Sequence, residues 1–202
     1  MNDTRQLDRS DRIGMYLSTA MLVLVGATFI WLSIQRVIEV ARGGGIPVDV
    51  PLDSEPVTVP LGPGGAAVDA VATTATVEVT DPAAATLFAL YAQPIWLALT
   101  VCAGLAVTGA FFLRLARGRA FEKGTAGLAY AGASILLAGW LGGSILTNMT
   151  TNGALSAISD YTYEAVTFET NLFPVVATLV IGGVAAALQI GEKAQRETDG
   201  LV

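Results

Sequence analysis

Four long apolar runs dominate the pattern along the chain, at 14–34, 93–113, 125–147 and 171–190, and none contains a charged residue. A helix rises ~1.5 Å per residue, so about 20 apolar residues match a hydrocarbon core of roughly 30 Å, and each run predicts a membrane-spanning helix. The runs are apolar all round instead of alternating, which separates them from the strands of a membrane barrel. Asn171 and Pro174 open the fourth. Gln93-Pro94 opens the second, because proline costs little in a first helical turn. The alternative is an earlier start at Asp81-Pro82, an N-cap and N1 pair followed by helix-forming residues 83–92, with Pro94 kinking the helix at the membrane surface.

Between the first two runs the pattern changes to period two. Ile46-Pro47-Val48-Asp49-Val50-Pro51-Leu52, Pro56-Val57-Thr58-Val59-Pro60-Leu61 and Thr74-Ala75-Thr76-Val77-Glu78-Val79-Thr80 alternate, with Gly62-Pro63-Gly64-Gly65 as turn punctuation. Valines and leucines then face one way, acids and threonines the other. Prolines inside two of the runs mark edge strands. A small sheet or pair of hairpins capping the bundle is expected, and because it buries little by itself it should pack on the helix ends or on the second outer loop. The fold class expected is an all-α membrane protein, a four-transmembrane-helix bundle with a small extracellular β-rich cap between helices 1 and 2.

Composition and charge add an orientation. A mean hydropathy of +0.60 is too high for an ordinary soluble domain and points to lipid as solvent. Arg5, Arg9 and Arg12 precede the first run, Arg114, Arg117, Arg119 and Lys123 separate the second from the third, and Lys193 and Arg196 follow the fourth. These belong on the cytoplasmic side. The segments 43–113 and 124–192 hold no Lys or Arg and contain the external loops. The layout expected is a cytoplasmic N-terminus at 1–13, an extracytoplasmic β-rich loop at 35–92, a basic hinge at 114–124, a second outer loop at 148–170 and a cytoplasmic tail at 191–202. Arg36 and Arg42 break the pattern by falling on the outer side. A short continuation of the first helix accounts for them, since Arg36 and Glu39 are three apart and arginine stems snorkel. The first run exceeds the 7–15 apolar residues of a secretory signal and lacks a clean cleavage site, so it reads as a retained anchor.

Candidate chemistry is sparse. There is no histidine, the commonest general base and metal ligand, and Cys102 lies in mid-span, where a thiol is desolvated and inert. No catalytic, cofactor or metal site is expected. The spans lack the ionisable residues that mark a proton or ion path. Their hydroxyls, among them Thr19, Thr28, Thr100, Thr108 and Thr178, bond backbone carbonyls or neighbouring helices. Gly139 with Gly143, Gly142 with Ala138, and Gly182 and Gly183 with Ala186 and Ala187, form small-xxx-small faces for helix packing, within the monomer in preference to between copies. The basic hinge Arg114, Arg117, Arg119 and Lys123 is a candidate lipid or partner contact. Asp160, Tyr161, Tyr163 and Glu164 in the second outer loop are a candidate outer contact. With a net charge of −6, nucleic acid is not an expected partner.

The hinge from Phe112 through Arg114, Arg117, Gly118 and Arg119 to Phe121 resembles the "rGxpF" turn of bacterial tetraspan membrane proteins catalogued as a domain of unknown function. The tail from Gly191 to Val202, with Gln195, Thr198 and Gly200-Leu201-Val202, is similar to the ending of actinobacterial members. The resemblance implies a plasma-membrane protein of four helices and carries over no catalytic or ligand residue. Two function classes follow. One is a non-enzymatic accessory, sensory or interaction protein meeting membrane lipids and another membrane or envelope protein. The other is a small oligomeric transporter or channel subunit. A membrane enzyme would require Asp160, Tyr161, Glu164 and Glu169 to converge on one cavity.

Overall fold

The computed structural model describes residues 9–118, 122, 124–160 and 171–199. Helix α1 (Arg9–Arg42) leads into strands β1 (Ile46–Val59) and β2 (Val68–Val79), followed by α2 (Ala84–Ala116), α3 (Thr125–Ile158) and α4 (Phe173–Asp199). All four helices contain stretches long and apolar enough to cross a membrane. At ~1.5 Å per residue, helices of 33 or 34 residues reach about 50 Å, well beyond a hydrocarbon core of roughly 30 Å.

The excess length corrects several expected boundaries. α1 continues past Ile34 to Arg42 and stops where Gly43 turns left-handed (φ 69°), a conformation that costs glycine nothing. α2 starts at Ala84, the earlier of the two expected positions, so Gln93-Pro94 is not its beginning. Pro94 sits buried inside the helix, where its ring nitrogen offers no hydrogen to the Leu90 carbonyl. α3 overruns Thr147 by three turns to Ile158, so the first half of the expected outer loop is helical. α4 extends through most of the expected tail, and the Asn171 side chain caps its start by accepting the Phe173 N–H at 2.9 Å.

The described residues form two compact units. One draws on the described residues of 9–35, 94–143 and 171–199, the other on those of 36–93 and 144–160. In the first, neighbouring helices pair antiparallel in chain order. Gly26 and Gly109 of α1 and α2 meet Leu105 and Thr19, Gly104 and Gly132 of α2 and α3 meet Ile135 and Val107, and Tyr130 of α3 reaches Gln189 of α4. Small residues let these helices approach, while Leu17, Leu24, Trp31, Leu99, Leu179 and Ile190 point outward. Such an apolar exterior suits lipid and would aggregate in water. Thr19, Thr28, Thr100, Thr108 and Thr178 each donate to the carbonyl four residues earlier at 2.8–3.0 Å, which removes the cost of a hydroxyl in an apolar medium.

The second unit holds the sheet. It is one antiparallel hairpin, not several, with Ile46 opposite Val79 and Val59 opposite Val68. Inward residues Ile46, Val48, Val50 and Val79 pack with Val40 of α1, Leu90 of α2, and Ala154 and Leu155 of α3. The outward face pairs Asp49 with Thr76, whose hydroxyl donates at 2.6 Å. The expected alternation and its packing on helix ends are therefore both present. The register slips between Pro51 and Glu55, with Ser54 left-handed (φ 57°), and beyond it the inward burial pattern lapses.

Candidate functional site

Features of both units bear on function. The far half of the hairpin lies open. Val57 and Val68 are exposed, and Leu61 and Val71 are 80% and 62% exposed, although strands of this composition normally cover one face. Glu55 and Asp69 are the acids of this half, and a turn at Pro63–Gly65 closes its tip. The near half is fastened to three helices, so the tip is carried on an anchored stem.

Beside the stem lies a polar cavity of about 460 Å³. Arg36 stands in its wall, donating to the Pro47 carbonyl at 2.6 Å and pairing with Glu39. The helical continuation gives this arginine a structural place. Asp49, Thr74, Gln93, Thr147, Thr150 and Thr151 supply the rest of the polar lining. Gln93 Nε2 donates to the Thr147 hydroxyl at 2.9 Å, joining α2 to α3, and Thr150 donates to the Thr147 carbonyl at 2.8 Å. The sequence reading missed this cavity because its residues lie far apart in the chain; the one local signal was an arginine on the wrong side of the charge pattern.

The expected outer-loop contact divides. Asp160 is exposed with a left-handed backbone (φ 51°), while Tyr161, Tyr163, Glu164 and Glu169 lie outside the described residues. Of the basic hinge, Arg117 is exposed and Arg114 is half-buried, its guanidinium donating to Thr125 Oγ1 at 3.3 Å at the start of α3. Arg119 and Lys123 lie outside the described residues. The structure adds Glu192, only 6% exposed, whose carboxylate accepts the Ala126 N–H at 2.7 Å. An acid from α4 thus caps the first turn of α3, favoured by the positive end of its dipole. We expect Glu192→Ala to cost about 1–3 kcal/mol by leaving that N–H buried and unpaired, with Glu192→Gln milder. Thermal denaturation in a mild detergent checks the order.

The packing glycines need correction. A Cβ at Gly139 would meet Thr100 at 3.2 Å, so Gly139 is a contact, whereas Gly143, Gly182 and Gly183 have nothing within 4 Å of that position. The tight approaches are at Gly142, against Trp96, and Gly153, against Thr86. A second cavity of about 750 Å³, among α2, α3 and α4 in the first unit, is almost wholly apolar. Its hydroxyls at Thr100 and Thr108 are already bonded to their own helix, and the buried Trp140 indole N–H has no acceptor among the described residues. Such a wall can shelter a hydrocarbon chain and offers a polar group little beyond that N–H. Among the described residues no acidic or cysteine cluster could hold a metal ion. No family model, curated protein or solved structure matches the chain.

Proposed function

We propose that this chain is a multi-pass protein of a bacterial plasma membrane, with both ends cytoplasmic, acting as a non-enzymatic accessory, sensory or interaction component of a membrane complex. The observation that carries the reading is the hairpin: its near half is packed on three helix ends, while its far half presents Val57, Leu61, Val68 and Val71 without cover. An anchored stem with an apolar, weakly charged tip suits docking to another membrane or envelope protein. The clustering of Lys and Arg before α1, between α2 and α3, and in α4 supports an outward hairpin. The hinge and tail resemblance points to the same membrane.

Both parts have direct tests. In a Cys102→Ala background, Leu61→Cys is expected to react with a membrane-impermeant maleimide in intact cells, and Arg117→Cys only after permeabilisation; the reverse pattern would refute the orientation. A photo-crosslinker at Leu61 or Val71 is expected to trap one discrete protein in the native host, and that adduct should vanish when the other position is changed to aspartate. Crosslinks to lipid alone would refute the docking role.

A further inference from the structure

The hairpin tip gives no role to the polar cavity beside its stem. That wall brings charges of opposite sign together, Arg36 from α1 and Asp49 from β1, with Gln93 of α2 and Thr151 of α3. Each has bonding capacity left. The Arg36 guanidinium carries five N–H donors, of which the Pro47 carbonyl and Glu39 engage only some. One Asp49 oxygen takes the Thr76 hydroxyl, leaving the other. Gln93 donates to Thr147, and its carbonyl oxygen accepts from no described residue. Thr151, only 6% exposed as a residue, adds a hydroxyl that bonds no described residue and keeps some accessible surface of its own.

We infer that this cavity binds a small zwitterion, its anionic group on Arg36 and Thr151 and its ammonium between Asp49 and the Gln93 carbonyl. A simple anion would lie against Asp49, and a simple cation against Arg36. An uncharged polyol would desolvate the Asp49 carboxylate without countering it. The volume falls within the ~300–1,000 Å³ of small-molecule sites. Two sources share the chemistry, a free α-amino acid and the phosphoethanolamine headgroup of a phospholipid. Arg36 lies just past the first apolar run, Gln93 opens the second and Thr147 closes the third, a depth where headgroups lie if the helices span. The inference stands apart from the docking role of the tip.

The test uses the full-length protein in maltoside detergent, with thermal stability read by tryptophan fluorescence. Glycine and phosphoethanolamine are compared with acetate, inorganic phosphate and methylammonium. Native mass spectrometry then compares retention of phosphatidylethanolamine with that of phosphatidylglycerol. At least one zwitterion is expected to raise the melting temperature while the singly charged probes do not. Asp49→Asn and Arg36→Gln should each weaken its binding by about tenfold or more, the order expected for losing a charged partner. Thr151→Val, which keeps shape, should weaken it by roughly threefold to tenfold without lowering the ligand-free melting temperature. Glycine as the better probe would identify a soluble amino acid, and retained phosphatidylethanolamine a lipid. Failure of every zwitterion, retention of both lipids alike, or unchanged binding in Asp49→Asn and Thr151→Val would overturn the assignment.

Discussion

Changing Val50 to aspartate is expected to release the hairpin from the helices while leaving the helix pairs of the other unit formed. Val50 is 1% exposed and sits among Val48, Val79, Leu90 and Leu155 in the cluster that fastens the sheet. Removing a buried valine forfeits about 1.5–3 kcal/mol of burial, and an unpaired carboxylate adds several more. A two-stranded sheet cannot absorb this, since an isolated hairpin is marginal in water even without a buried charge. Hydrogen exchange reports the result. The amides of the near half, around Val48 and Val77, should lose protection, while those of α2 from Val101 to Val107 keep theirs. Protected strands in the variant would mean that the cluster is not what holds the hairpin. Val50→Ala should give a partial version, about 1–2 kcal/mol, with the same spatial pattern.

The hairpin was legible in the sequence because period-two alternation reports directly on which side chains meet a surface. The same rule failed beyond Pro51, where three residues, 52–54, intervene in β1 before the ladder resumes, and the valines past it find no helix to cover them. The spans were legible as composition, but their ends were not. Pro94 looked like a helix start because an interior proline costs ~3 kcal/mol, and the packing of Leu90 and Tyr91 on the hairpin core outweighs that cost. The segment 148–158 reads as loop because asparagine, threonine and serine compete with the helical backbone. Here Thr150, Asn152 and Ser159 instead bond carbonyls of the preceding turn, and Ala154 and Leu155 face the valines of β1. The cavity gave almost no signal. Arg36 and Thr151 are brought together only by folding, and no spacing rule links them.

The largest effect inside the helix pairs is expected at Gly142. An added Cβ there would lie 2.4 Å from the indole of Trp96, which cannot swing aside freely because its Nε1–H donates to the Gly139 carbonyl at 3.3 Å. The body of a ring tethered to the same helix has to give way, so overpacking should cost about 1–3 kcal/mol for Gly142→Ala and more for Gly142→Leu. Gly182→Leu and Gly183→Leu meet open space on α4 and should leave the monomer melting temperature within a degree or two of the parent. Removing the obstacle sharpens the prediction. Trp96→Ala alone opens a cavity, but in combination with Gly142→Leu the two changes should compensate, giving a double variant more stable than the sum of the single losses. Simple additivity would place the cost of Gly142→Leu in helix propensity or elsewhere and remove the Trp96 contact as its cause. Loss of a homo-oligomer in Gly182→Leu, with the monomer intact, would assign the open glycine face to contacts between copies, the role the chain's own helices leave unfilled.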